Sequence, residues 1–402
     1  MNSKLLYVSF DVVPSPKGAS VHIEQFARIL SNRYGALHLV TVAESNQVNV
    51  KTSNNELGQG IVHTTLAAPG DNLIDRVLNF RRLLEKFLEA QTFDLAHFRS
   101  PFEGYCLAKH KGRNLKQLVF EVNGLPSIEL KYRYPQLVDD DVLIGKLLGQ
   151  EQFCFEKSDL VITPSEITAN LLKKRGVATE KLRVIPNGVD LSLFSTAPMP
   201  ALRPDDKLRL LYFGTLSPWQ GVDQALLAVS RLSKICKINL SIIASARKQQ
   251  LDDLHSSIAQ LSLSENVTVL PTCSQSEVLA HIHDSHIVLA PLSADDRNLE
   301  QGCCPFKILE SMAAGRPVLA SALPVVLEIA GSEPLVFLCK AGSAGSLQDA
   351  LLELRSNPER LQTVAQLARR RIEENYSLSY TGKLLLDSYE ELLKSSPINL
   401  SS

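Results

Sequence analysis

Short apolar runs alternate with longer helix-periodic stretches from one end of the chain to the other. In the first half the runs are Leu5–Phe10, Leu37–Val42, Ile61–Leu66, Leu95–Phe98, Leu118–Val122 and Leu160–Thr163. In the second they are Leu208–Phe213, Ile238–Ile243, Val267–Leu270, Ile287–Leu289, Val318–Ala320 and Leu335–Leu338. Such runs, separated by segments with apolar positions three and four apart, predict parallel strands joined by helices. The alternation breaks once, where periodicity weakens around Pro198, Pro200 and Pro204, which reads as an interdomain linker over residues 191–206. The expected architecture is therefore α/β: two doubly wound Rossmann-like domains, residues 1–190 and 207–375. Ligands in such sheets bind outside the carboxyl ends of the strands, so facing domains would share one cleft. Two last helices, near Asn357–Arg371 and Tyr380–Lys394, have no strand after them and could pack across the domain boundary.

A chain of 402 residues suits two domains better than one core. Apolar residues make 45%, charged residues 21%, and the net charge is −1, so no global field recruits nucleic acid. No run reaches the roughly 18 apolar residues that span a bilayer, and no charged leader with a cleavage site opens the sequence. The expectation is a cytoplasmic protein, with peripheral contact at the inner face of a membrane. The seven cysteines lack C-x-x-C spacing, which argues against a disulfide framework or zinc site. Adjacent Cys303 and Cys304 read as small packing residues. The acidic clusters Asp139–Asp141, Asp205-Asp206 and Asp295-Asp296 read as solvated charge, and no metal ligand is assigned.

Candidate chemistry sits in the strand-to-helix loops. Gln301–Ser321, QGCCPFKILESMAAGRPVLAS, places Lys307 and Glu310 in the opening turns of a helix, where backbone N–H groups and the helix dipole favour an anion. Glu310 could accept hydrogen bonds from a ribose; an amphipathic core helix is the competing reading. Gly214–Gly221, GTLSPWQG, brackets a loop with two glycines and leaves room for a phosphate. Trp219 either stacks on a ligand ring or anchors that loop. Pro271-Thr272-Cys273 ends another strand and could meet a nucleobase through its backbone. In the first half, Asp11–Ser20 offers Lys17 for an anion, Gly18 for close backbone approach and Ser20 as a helix N-cap, or is a plain strand-to-helix turn. Asn123, followed by Gly124, is either a sugar-hydroxyl partner or a turn residue. His97 is either a polar group at a strand end or a satisfied, semi-buried histidine.

Together these segments resemble glycosyltransferase family 4, over nearly the whole chain. The most specific parts are VIPNGVD (Val184–Asp190), FGTLSPWQGVD (Phe213–Asp223) and CPFKILESMAAGRPVLAS (Cys304–Ser321) ahead of Pro324. Ile287–Leu289 running into Ala290-Pro291-Leu292, and ENYS at Glu374–Ser377, also look like the family. The resemblance implies a GT-B fold, with the last helix, about residues 376–396, returning to the N-terminal domain, and a retaining, metal-independent, hexosyltransferase-like enzyme of polysaccharide or glycolipid assembly. It implies no cofactor: the nucleotide-sugar, by family default a UDP-sugar, is a substrate. The donor would be held by Gly214, Thr215, Gln220, Cys273, Arg297, Cys304, Lys307 and Glu310. A glycan or lipid-linked acceptor would lie near Lys17, Gly18, His97 and Asn123. Asn123, Lys307 and Glu310 are the expected catalytic positions.

The chain also departs from the family. An Arg and a Lys that often grip the diphosphate fall at Thr215 and Gln220, the first of a pair of glutamates falls at Gly302, and an acceptor-side His falls at Asn123. Arg297 and Lys307 are the candidate replacements for the lost charge. These losses support a rival reading, a degenerate sugar-nucleotide-binding scaffold; the retained Lys307 and Glu310 support transfer. His110, Lys111, Arg113 and Lys116, with Arg76, Arg81, Arg82 and Lys86, suggest either a basic face toward anionic lipid or ordinary solvated helices.

Overall fold

The computed structural model describes residues 3–44 and 50–395. The chain forms two compact units: Met1–Pro186 with the chain from Gly382 onward, and Asn187–Thr381. The first is built on β1 (Leu5–Ser9), β2 (Leu37–Val42), β3 (Lys51–Asn54), β4 (Ile61–Leu66), β5 (Phe93–Phe98), β6 (Leu115–Glu121), β7 (Leu160–Thr163) and β8 (Leu182–Val184). Their order is β3-β4-β2-β1-β5-β6-β7-β8, with β3 antiparallel to β4 and the other pairs parallel. Helices cover both faces, so central strands such as LLYVS are buried at every position. The winding reverses between β1 and β5, and loops leaving these strands diverge there.

The second unit carries β9 (Leu208–Thr215), β10 (Ile238–Ser245), β11 (Val267–Leu270), β12 (Ile287–Ala290), β13 (Val318–Ser321) and β14 (Phe337–Cys339). The order is β11-β10-β9-β12-β13-β14, parallel throughout. Its switch point lies between β9 and β12.

Three expectations change. The stretch expected as a linker belongs to the second unit, where Phe194 and Leu202 are buried. The fully buried Arg316 guanidinium donates to the carbonyls of Ala197, Pro198 and His283. Irregular chain held through its carbonyls needs no apolar period, which is why it looked unstructured. The first helix, Gly18–Tyr34, begins ahead of Ser20; instead of capping, Ser20 Oγ accepts from the Ser15 amide at 2.8 Å and donates to Glu24 at 3.2 Å. Strands β3 and β8 were not foreseen, because KTSN is exposed and polar and LRV is only three residues long.

The final helix, Leu378–Ser395, enters the first unit's core through Leu385 and Tyr389. Gln117 Nε2 donates to the Leu392 carbonyl at 2.9 Å.

Candidate active site

In the second unit Gly214, Thr215, Gln220, Arg297 and Lys307 gather at the switch point, while Cys273 follows the edge strand β11. β9 ends in Gly214 and Thr215, and the loop beyond it turns through Gly221 at φ 65°, where a Cβ would overlap the carbonyl oxygen of Pro291 just after β12. Only glycine allows both the left-handed backbone and this approach. The helix Phe306–Ala313 lays Lys307 across the mouth of β9. Its Nζ donates to Gln220 Oε1 at 2.9 Å and sits 3.6 Å from the centroid of the Tyr212 ring. A Cβ on Gly214 would lie 3.5 Å from that nitrogen, so the missing side chain opens the backbone to it. The Tyr212 hydroxyl donates to the Thr215 carbonyl and fixes the strand end.

Lys307 is 8% exposed, and burial holds its ammonium well below the usual lysine range. An anion at the loop would favour the charged form. Lys307 thus brings a basic group beside position 220, where the family resemblance implies a Lys.

Arg297 opens a turn of π-helix, Arg297–Gln301, and its guanidinium lies 5.2 Å from the Trp219 ring centroid. The Trp219 carbonyl accepts from the Ser293 amide at 3.0 Å and Asn298 Nδ2 at 2.9 Å. Trp219 therefore anchors the loop through its backbone while its ring supports Arg297. Glu310 is half-buried on the Lys307 helix. Burial pushes its carboxyl up to about 8, opposed by a hydrogen bond from Gln275. Gln275 opens the helix after Cys273, so Cys273 and Glu310 belong to one neighbourhood. Cys304 contributes its carbonyl rather than its thiol: Asn187 Nδ2 donates to it at 2.6 Å, and the sulfur is buried.

The Glu310 shift fixes a sign for stability. Below the ordinary value of 4.5 both folded and unfolded chains are protonated there; as pH rises to about 8 the unfolded chain ionises first. Glu310 therefore costs stability progressively through that window. Glu310→Gln is expected to be neutral at about pH 4 and stabilising at about pH 8, read as melting temperatures across that range; an equal effect at both ends would remove the buried-carboxyl assignment.

The first unit holds a different centre. Glu121, the last residue of β6, is 2% exposed. Its Oε1 accepts from His22 Nε2 at 2.6 Å and from Asn123 Nδ2. Its Oε2 accepts from the Tyr7 hydroxyl and His97 Nε2, each at 2.9 Å, with Arg99 Nε at 3.4 Å. Desolvation opposes the charge, yet His22 and Arg99 hold the carboxyl well below its ordinary value. His97 corrects an expectation. It is fully buried, with Nδ1 against the Tyr389 hydroxyl at 2.6 Å, so the reading as a satisfied histidine fits, while the acceptor-side place does not, since it presents no atom to an acceptor. Lys17 and Gly18 are exposed at the head of the first helix, and Asn123 is half-buried.

Glu121, Tyr7, His22 and Arg99 were missed. A carboxylate and a phenol inside the apolar runs LKQLVFE and LLYVS were the available signal, since polar groups in buried strands must find partners. The basic face dissolves in part. Arg76 donates to the Ala68 and Ala43 carbonyls and Arg81 to those of Phe102 and Pro101. Lys111 pairs with Asp159 and Lys116 with Asp94.

Among the described residues one group has metal-type donors close together: Glu85, Cys106 and His110. Burial pushes the Cys106 thiol up to about 12, which disfavours a thiolate ligand. The three acidic clusters form no such group among the described residues. All seven cysteines are free. No helix of the described residues is long and apolar enough to cross a membrane.

Residues 16–193 match Glycosyltransferase Family 4, and residues 197–371 match Glycosyl transferases group 1. The two glycosyltransferase matches together cover most of this chain. A putative colanic acid biosynthesis glycosyltransferase, WcaL of Escherichia coli, is 26% identical over 230 residues, 56% of this chain and 55% of WcaL. A D-inositol 3-phosphate glycosyltransferase of Xylanimonas cellulosilytica is 25% identical over 275 residues, 63% of this chain and 61% of that protein. The chain thus spans little more than half the length of these relatives. Among solved structures, a sucrose-phosphate synthase from Thermosynechococcus elongatus has a TM-score of 0.79 at 18% identity, covering 98% of this chain and all of that one. Anabaena HepE, in complex with UDP and glucose, has a TM-score of 0.74 at 16% identity over 97% of this chain and all of HepE. The glycosyltransferase domains share the GT-B fold of these neighbours.

Proposed function

We propose that this chain transfers a hexose from a nucleotide-sugar, a UDP-sugar by preference, to a glycan or lipid-linked acceptor with retention, in polysaccharide or glycolipid assembly. The observation that carries the reading is the Lys307 ammonium, buried and aimed at the Gly214–Gly221 loop beside Gln220. A loop opened by glycine, a cation against it and Arg297 on the neighbouring turn suit a diphosphate leaving group. Stabilising the charge that develops there is the main chemical task of such a reaction. Glu310, with Cys273 on the adjoining loop, suits the ribose end, since a carboxyl pushed up to about 8 both donates and accepts near neutral pH. Asn123 would address the acceptor. No metal is needed for this division of labour, and transfer is expected to continue in EDTA. HepE binds UDP in the same fold, which supports the choice of base.

Calorimetric titration with UDP, GDP, ADP and their glucose, galactose and mannose conjugates tests the donor. Binding of one base alone, followed by release of its diphosphate during turnover, is the expected result. NMR of the glycosidic product then tests retention, and an inverted anomer would overturn it. Loss of two cations at Thr215 and Gln220 favours a second reading, a scaffold without catalysis; binding without any transfer or hydrolysis of the donor would select it.

A further inference from the structure

The groups that meet Glu121 among the described residues fix the orientation of the Asn123 amide. A carboxylate accepts and cannot donate, so the end of the Asn123 amide turned toward it is the NH2 group. The amide oxygen is therefore turned away. We propose that Glu121 is a positioning residue that locks the Asn123 amide so that Oδ1 is presented as a hydrogen-bond acceptor to a sugar hydroxyl; this rests on the sugar-transfer reading above.

The lock is built from every side of the sheet end. The Tyr389 hydroxyl donates to His97 Nδ1 at 2.6 Å, which leaves Nε2 to carry the proton it gives to Glu121 Oε2 at 2.9 Å. Tyr7 donates to the same oxygen from β1, and Arg99 balances its charge at 3.4 Å. His22 takes its place beside Asn123 on Oε1. With both oxygens occupied and the group buried, the carboxylate cannot swing to a ligand. It acts through the one partner that is half-buried rather than buried, Asn123. An unrestrained amide would offer its NH2 and C=O ends in turn, and a hydroxyl poised for attack needs one acceptor in one place.

The test is a double-mutant cycle of Glu121→Gln and Asn123→Ala, with transfer and UDP binding measured on each variant. A glutamine places an NH2 group among these donors and frees the Asn123 amide. Each single variant is expected to lower kcat/KM for the acceptor by about tenfold or more, with UDP affinity within about twofold of the wild type, since that site is in the other unit. The double variant should be no worse than Asn123→Ala. Losses that multiply would overturn the proposal, because Glu121 would then act by another route.

A readout without turnover separates this failure from failure of the transfer reading. In wild-type protein one side-chain amide proton of Asn123 is expected well downfield of ordinary asparagine amides, from its hydrogen bond to a carboxylate. Glu121→Gln should return it. Two ordinary Asn123 amide protons in the wild type would overturn the lock even if Glu121→Gln does not fold, whereas a wild type that turns over no acceptor but keeps the shifted proton would sink only the transfer reading.

Discussion

Lys307→Met is expected to raise the melting temperature of the protein while weakening UDP binding about tenfold to a hundredfold. The two effects share one cause. Lys307 is buried against Tyr212 and Gln220 with its ammonium destabilised by desolvation. An unbranched apolar side chain of similar length fills the same space without that cost, and replacing buried charge by packed apolar groups is typically neutral or stabilising by about 1–4 kcal/mol. For a unit of this size about 1 kcal/mol corresponds to roughly 2–4 °C. A diphosphate, however, loses a charged donor, worth about 1.5–3 kcal/mol.

Proton linkage gives a second check on the same residue. If the bound diphosphate restores the ammonium, binding takes up a proton, and affinity must fall as pH rises between the free and bound values. Calorimetry in buffers of different ionisation enthalpy across a pH series should report an uptake at the alkaline end in the wild type that is smaller in Lys307→Met. A variant that is less stable and binds UDP normally would remove Lys307 from the donor site and leave it a packing residue.

Gly221→Ala should be the most damaging small substitution in the second unit, costing about 3 kcal/mol or more. Two penalties add. At φ 65° an alanine pays left-handed strain of about 1–2 kcal/mol, and its Cβ would overlap the Pro291 carbonyl oxygen, which is backbone and cannot rotate aside. The loop must then lift away from the β12 end, taking Gln220 from Lys307 and Trp219 from Ser293. Stability and UDP affinity should fall together.

Gly35→Ala is the matched control. Gly35 has φ 85°, but an added Cβ would meet nothing within 4 Å, so only the backbone strain applies. Denaturant midpoints should separate the two variants clearly. Equal losses would mean that the approach to Pro291 is softer than the geometry implies.

These expectations rest on features of unequal visibility in the sequence. The parallel strands were legible because Leu37–Val42, Ile61–Leu66 and Leu160–Thr163 are apolar enough to be buried on both faces, and burial of that kind is written in composition. The loop glycines were legible too, since a left-handed residue such as Gly221 leaves few alternatives. Lys307 and Glu310 could be placed on one helix because their separation is local.

What the chain could not show by itself is which distant groups share a site. The Lys307 ammonium meets Gln220 across 87 positions, and His97 meets Tyr389 across 292. His97 read either as a polar group at a strand end or as a satisfied interior histidine, and the final helix decides for the second by covering it with a phenol. Glu121 could be read as a polar interruption of a strand, but the two histidines and the arginine that keep it charged come from elements folded around it. Local patterns fix backbone form through sterics and burial of adjacent residues, which the sequence alone carries. Charge, tautomer and amide orientation depend on desolvation and on partners brought close only by the tertiary fold, and there the structure decided.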